Sequence, residues 1–231
     1  MAMIPLFYNR RSLWGRKVTT VASVLGIALV VFVWTTVDML THGIESTLAA
    51  TGSANNSITL RRGAQAELES ILTRETKETL AVSPEIENDA QGPLFSPEMV
   101  VVIVADRRDG AGGSNVTVRG VGPRAMAVHS QVHLREGRMF EHGKGEVIVG
   151  KKLAARFSGT AFGETLKLGK DHFKVVGVTD AGGSAYESEI WGDVEDLMPA
   201  FQRTLFSSVT ARMKQGQLET YKKRAEADIR L

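Results

Sequence analysis

Five histidines, a run of acids and two glycine-rich stretches are the parts of this sequence with side chains or spacing suited to chemistry. His129 and His133 stand four residues apart, the spacing at which two imidazoles on one helical turn can hold a metal ion. Val132-His133-Leu134 reads as a strand, however, where that spacing separates the rings. His42, His142 and His172 bring no third ligand into register. Glu187, Glu189, Asp193, Glu195 and Asp196 gather after the loop Asp180-Ala181-Gly182-Gly183-Ser184. A carboxylate pair can do acid–base work, but nothing singles out two of these five. Asp193 and Glu195, at the start of a predicted helix, are accounted for by the helix dipole. Gly110–Gly113 and Gly143-Lys144-Gly145 resemble phosphate-binding loops only in composition. Neither fits G-x-x-x-x-G-K-[ST], and the first falls at a hairpin tip, so both read as turns. No G-x-S-x-G is present. With no cysteine, disulfides, thiolate chemistry and cysteine-bound zinc are excluded. The expectation is a chain with no catalytic, cofactor-binding or metal-binding residues and no cofactor, and therefore not an enzyme.

The elements around these residues are short and mixed. Ser57–Leu60 reads as a strand. Residues 64–82 read as one or two short helices, with Thr73 as N-cap of the second and Ser83-Pro84 ending it. Met99–Ala105 is a continuous apolar strand, Arg107–Ser114 a turn, and Asn115–Val121 alternates at period two, so the three form a long hairpin. A helical turn over Pro123–Val128 leads to Val132-His133-Leu134 and a turn at Glu136-Gly137-Arg138. Glu146–Gly150 is a strand and Lys151–Phe157 a short helix. Glu164–Leu168 and His172–Thr179 form a second hairpin. Ser188–Trp191 is strand-like, Val194–Phe201 helical, Ser207–Met213 a strand, and Gln217–Asp228 a charged helix. The fold class is α+β, without βαβ regularity.

All of this follows one apolar stretch. Val18–Val37 runs twenty residues with no charge, no proline and one glycine. As a helix rising about 1.5 Å per residue, it matches the roughly 30 Å of bilayer hydrocarbon. It is longer than a secretory h-region and no small-x-small site lies near Val37, so an uncleaved anchor is expected. Arg10, Arg11, Arg16 and Lys17 precede it with no acid among residues 1–17. That leaves 24 of the 28 Lys and Arg to face all 26 Asp and Glu, a near-neutral remainder with no electrostatic footprint for nucleic acid. Positive-inside places residues 1–17 in the cytoplasm and the bulk of the chain outside a bacterial inner membrane. The expected divisions are a cytoplasmic interfacial segment over 1–17, a transmembrane helix over 18–42, and an extracytoplasmic domain over 43–231. Residues 4–17 read as an interfacial helix, with Phe7, Leu13 and Trp14 at the headgroups. Ala22 and Gly26 form a small-xxx-small pair. Asp38 and His42, at the outer end, are given no relay role.

The order of these features resembles a known family. The basic-aromatic N-terminus, the span with Leu25-Gly26-Ile27-Ala28, Arg119-Gly120-Val121-Gly122-Pro123 and Glu136-Gly137-Arg138-Met139-Phe140 come first. Glu146–Gly150, Gly163-Glu164-Thr165-Leu166, Phe173–Val178 and Ile190-Trp191 follow. The whole is similar to the start of an ABC-transporter permease of the MacB/FtsX-like type, with the part after the span resembling the MacB-like periplasmic core domain. The resemblance implies a dimer, with itself or a second permease, and a cytoplasmic ABC ATPase whose cycle moves the spans. It also implies three further spans after the domain. No second apolar run of spanning length follows here, so the expectation is a permease-subunit fragment or an orphan anchor-plus-domain. The alternative is a stand-alone tethered binding or scaffolding domain, using the hairpin Met99–Val121 as its contact surface.

Overall fold

A computed structural model describes residues 14, 16–53 and 55–227. Apart from 14, 16 and 17, the interfacial segment expected over 4–17 lies outside these residues. The chain divides into two compact units, Met1–Thr47 and Leu48–Leu231.

In the first unit, helix α1 (Lys17–Thr51) begins, and its Lys17–Thr47 part is long and apolar enough to cross a membrane. Its large apolar side chains, Val21 to Ile44, are exposed, as lipid-facing residues must be. Hydroxyls within this window bond back to the helix. Thr35 Oγ1 donates to the Val31 carbonyl at 2.9 Å and Thr36 Oγ1 to that of Phe32 at 2.7 Å. Such back-bonding hides a polar group from hydrocarbon.

The second unit is built on a nine-stranded mixed sheet. Its strands in chain order are β1 (Asn56–Thr59), β4 (Phe95–Asp106), β5 (Gly113–Val121), β6 (His133–Gly137), β7 (Glu146–Gly150), β8 (Thr165–Leu168), β9 (Asp171–Asp180), β10 (Glu189–Asp193) and β11 (Ser208–Arg212). A separate two-stranded hairpin, β2 (Asn88–Asp89) with β3 (Gly92–Pro93), stands outside it. Across the sheet the order is β1-β11-β4-β5-β10-β7-β9-β6, with β8 also pairing β9. Four short helices complete the unit: α2 (Arg74–Ala81), α3 (Ala125–Val128), α4 (Lys151–Arg156) and α5 (Val194–Ala200). A fifth, α6 (Leu218–Ala227), follows the last strand.

Both faces of β7 and β10 are buried, whereas β4 is buried on both faces only as far as Val101, beyond which Val102 and Val104 are exposed. One face carries the main core, with Met99, Val118, Val147, Val149, Val175 and Ile190 against Leu197, Met198 and Phe206. The other carries a smaller core of Val121, Ala125, Val132, Ile148, Val176, Tyr186 and Trp191. Alternation along each strand divides the side chains, so Ile190 and Trp191 serve opposite cores.

Most expected elements stand where the sequence puts them. Thr73 caps α2, its hydroxyl accepting from the Thr76 amide at 3.1 Å. Two differences have physical causes. β4 starts at Phe95 rather than Met99, because Ser96-Pro97-Glu98 pair with β11 although their types disguise a strand. Glu136 and Gly137 lie within β6 rather than in a turn. A bulge between Leu134 and Glu136 and a φ of +78° at Gly137 let the strand keep pairing with β9.

Close approach explains another glycine. A Cβ at Gly150 would meet the Glu187 carbonyl carbon and oxygen at 2.3 Å, and both are backbone atoms with little freedom to shift. Gly150→Ala should therefore destabilise the domain by about 1–3 kcal/mol, read as a lowered midpoint in thermal unfolding. An unchanged midpoint would show that the two segments separate freely.

Candidate functional site: a buried arginine among three carboxylates

The densest polar assembly in the second unit lies inside it, on the face of the smaller core. β5 places Arg119 beside Trp191 of β10 and opposite Val100 of β4. Alternation brings Glu189 and Glu98 to the same face. The 3-10 turn Glu67–Glu69 supplies Glu67, and the residue ending α3 supplies His129.

The Arg119 guanidinium makes five hydrogen bonds. Its Nε donates to Glu189 at 2.8 Å, one terminal nitrogen to Glu67 and Glu98 at 2.8 Å each, and the other to Glu67 at 3.0 Å and Glu189 at 3.1 Å. Five is the full donor count of an arginine, so none is left for a ligand. The carboxylates are held in turn. Trp191 Nε1 donates to Glu189 at 2.8 Å, Ser208 Oγ donates to Glu67 at 2.6 Å, and His129 Nε2 lies 2.6 Å from Glu98 Oε1. The Tyr186 ring faces the guanidinium at 5.6 Å, and Tyr186, Trp191 and His129 meet edge to face. Arg119, Glu98 and His129 are buried.

Burial opposes ionisation of Glu98, but His129 and Arg119 outweigh it and hold its carboxyl at about 2. Burial likewise opposes the charge on Arg119, and Glu189 and Glu98 more than offset it, keeping its pKa well above the ordinary value. Burial raises the Tyr186 phenol. The assembly is a charge cluster with its donors spent, and what it can do is join segments. It ties β4, β5, β10, β11, the Glu67 turn and the end of α3.

The five acids singled out in the sequence are separated by the fold. Glu189 belongs to the cluster just described. Glu187, also buried, accepts from the Gly183 amide at 2.7 Å and pairs with Lys151 and Lys152 at 3.0 Å each, holding the 180–184 loop. Asp193 caps α5, accepting from the Glu195 amide at 3.2 Å, and Glu195 takes both terminal nitrogens of Arg74. Asp193 and Asp196 accept from the amides of Gly143 and Gly145 at 3.2 and 3.0 Å. The phosphate-loop-like Gly143-Lys144-Gly145 thus spends those amides on internal carboxylates. Gly110–Gly113 forms the β4–β5 hairpin tip. That tip is fastened, with the Arg108 amide donating to the Arg156 carbonyl at 2.9 Å and its guanidinium to Glu164 at 2.8 Å. His133 starts β6 and is exposed, while His129 is buried. Among the described residues, no three His, Asp or Glu gather to hold a metal ion.

Glu67 and Glu98 were not singled out in the sequence, and Arg119 entered only through a motif. A glutamate beginning the otherwise apolar Glu98–Ala105 run was the available signal, since a charge there needs a buried partner.

A helix long and apolar enough to cross a membrane thus precedes a mixed-sheet domain. A family model described as the MacB-like periplasmic core domain matches residues 18–227, and the chain belongs to that family. Two solved structures share the fold. One is the extracellular domain of the noncanonic ABC-type transporter YknZ from Gram-positive bacteria, with 21% identity over 67% of this chain and 80% of that one and a TM-score of 0.53. The other is the periplasmic region of MacB from Actinobacillus actinomycetemcomitans, with 16% identity over 77% and 83% and a TM-score of 0.54. No curated protein sequence matches.

Removing Arg119 would leave three facing carboxylates without their shared cation. Arg119→Met should cost about 3–5 kcal/mol in denaturant unfolding, and Arg119→Lys should recover only part, since an ammonium cannot span three carboxylates. The acid side has a defined sign. Glu98 is depressed from 4.5 to about 2, so its contribution is complete above pH 4.5 and is lost as the pH falls towards 2. Glu98→Gln should lower stability at neutral pH and flatten its decline across that window. An unaltered acid slope would contradict the assignment.

Proposed function

We propose that the chain is the membrane-anchored extracytoplasmic part of an ABC-type permease subunit. In this reading the domain relays motion of its span to a substrate or envelope partner, and catalysis belongs to a separate cytoplasmic ATPase. The observation that carries this is the family match over residues 18–227, which takes in the apolar helix and the sheet domain as one unit. The basic flank before α1 supports a cytoplasmic N-terminus. Pairing with itself or with a second permease is part of the proposal, as is the division at 17/18 and 42/43.

A relay needs a firm seat where α1 enters the domain. Thr51, its last residue, has its carbonyl accepting from Gln131 Nε2 at 3.0 Å and its hydroxyl accepting from the Ala185 amide at 2.9 Å. Gln131 lies two residues from His129, and Ala185 precedes Tyr186. Within the second unit, Thr51 therefore joins the loops that carry two members of the aromatic group around Arg119. The absence of cysteine makes single-cysteine probes straightforward.

Ala111→Cys, at the exposed hairpin tip, should react with a membrane-impermeant maleimide in intact spheroplasts, and Ser12→Cys only after permeabilisation. Labelling of Ser12→Cys from outside would reverse the topology. A cytoplasmic ATPase should co-purify with the anchored chain and be absent from a preparation lacking residues 1–47. With that ATPase in vesicles, ATP should change the fluorescence of a dye at position 111. A six-residue glycine–serine insertion after Thr47 should abolish the change while leaving the domain folded. A signal that survives the insertion would remove the relay and leave a tethered binding domain.

A further inference from the structure

We propose that a second place, on the main-core side of the domain, binds a phosphate group. A cavity of about 410 Å³ lies between the β8–β9 turn, the end of α5 and the start of α2, lined by Arg74, Lys170, Glu195, Gln202, Arg203 and Thr204 among others. Three separate segments meet there, and each is fixed. The Lys170 amide donates to the Ala200 carbonyl at 3.1 Å. Gly169, at φ +59°, sits so close that a Cβ would lie 2.2 Å from the same oxygen. Arg74 is locked to α5 through both its terminal nitrogens on Glu195, at 2.9 and 2.8 Å.

The end of α5 carries the second observation. The Gln202 amide donates to the Pro199 carbonyl at 3.1 Å and the Arg203 amide to that of Met198 at 2.8 Å, the paired bonds of a helix stop that favours glycine at the left-handed position. Here that position is Gln202, φ 56°, the one non-glycine residue with positive φ among the described residues. Glycine would be less strained, and what glutamine adds is an amide side chain at the cavity.

Charge decides the ligand. Glu195 neutralises Arg74, but Lys170 and Arg203 have no carboxylate within ion-pair distance among the described residues. Cations near a helix C-terminus are ordinarily explained by its open carbonyls. The carbonyls of Met198, Pro199 and Ala200 accept backbone amides, and among the described residues neither the Lys170 nor the Arg203 side chain is hydrogen-bonded to them. Two uncompensated cations, one a planar guanidinium fork, with hydroxyl and amide donors beside them, suit a phosphate dianion better than a single carboxylate. The phosphate could come from a soluble ester or from a lipid headgroup. This site does not depend on the transport reading.

The test uses the full chain in neutral phosphatidylcholine nanodiscs at constant ionic strength. Inorganic phosphate, acetate and dihexanoyl phosphatidic acid below its micellar concentration are each titrated calorimetrically. Phosphate should saturate below about 20 mM and bind more tightly than acetate. Lys170→Gln and Arg203→Gln should each weaken it about fivefold or more, whereas Lys222→Gln, the same charge change away from the cavity, should not. Gln202→Gly should raise the unfolding midpoint and weaken phosphate binding together. Tighter binding of the short lipid than of phosphate would identify a headgroup as the source, and the reverse a soluble ester; either ranking keeps the site. Absence of saturation, equal affinity for acetate, or equal loss in Lys222→Gln would overturn it.

Discussion

Five hydrogen bonds from one guanidinium hold this domain's sheet to its surroundings. Arg119 stands where β4 changes partner: Phe95–Glu98 pair with β11, and Met99–Asp106 pair with β5. At that point the backbone ladder passes from one half of the sheet to the other, and Glu98 sits on the boundary. Arg119 bonds Glu98, Glu189 on β10 and Glu67 on a turn that packs over β4. Neutral apolar residues could fill the same space and leave no such directional demand. A buried arginine with three carboxylates tolerates one arrangement, because a displaced member would leave a buried charge unpaired.

Much of the fold was legible because its strands are apolar runs or alternate at period two and its turns carry glycine. Glu146–Gly150 and the β8–β9 hairpin needed only run length and turn chemistry. What escaped was set by tertiary contact. Ser96-Pro97-Glu98 do not look like strand residues, yet β11 pairs with them and Arg119 neutralises the glutamate. Gly137 looks like a turn, yet a bulge keeps it in β6. Of the acids after Gly183, Asp193 and Glu195 read in the sequence as helix-start residues, and Asp193 caps α5. Glu187 and Glu189 carry no local signal, because their partners, Lys151, Lys152 and Arg119, lie about 35 to 70 positions away in the chain. No local pattern announces a pairing of that separation.

The same assembly lies next to the start of the second unit. The loops seating Thr51 contain Gln131 and Ala185, and next to them His129 and Tyr186 pack on Trp191 and around Arg119. The cavity beside α5 lies on the main-core side and shares no residue with this assembly, so the two can be altered separately.

Native-state hydrogen exchange on Arg119→Met tests the central role of the arginine most directly. If Arg119 joins the two halves of the sheet, amides of β1, β11 and the Glu67 turn should lose protection together, while the β8–β9 hairpin keeps its own. A uniform loss across all strands, or protection unchanged in β11, would contradict it.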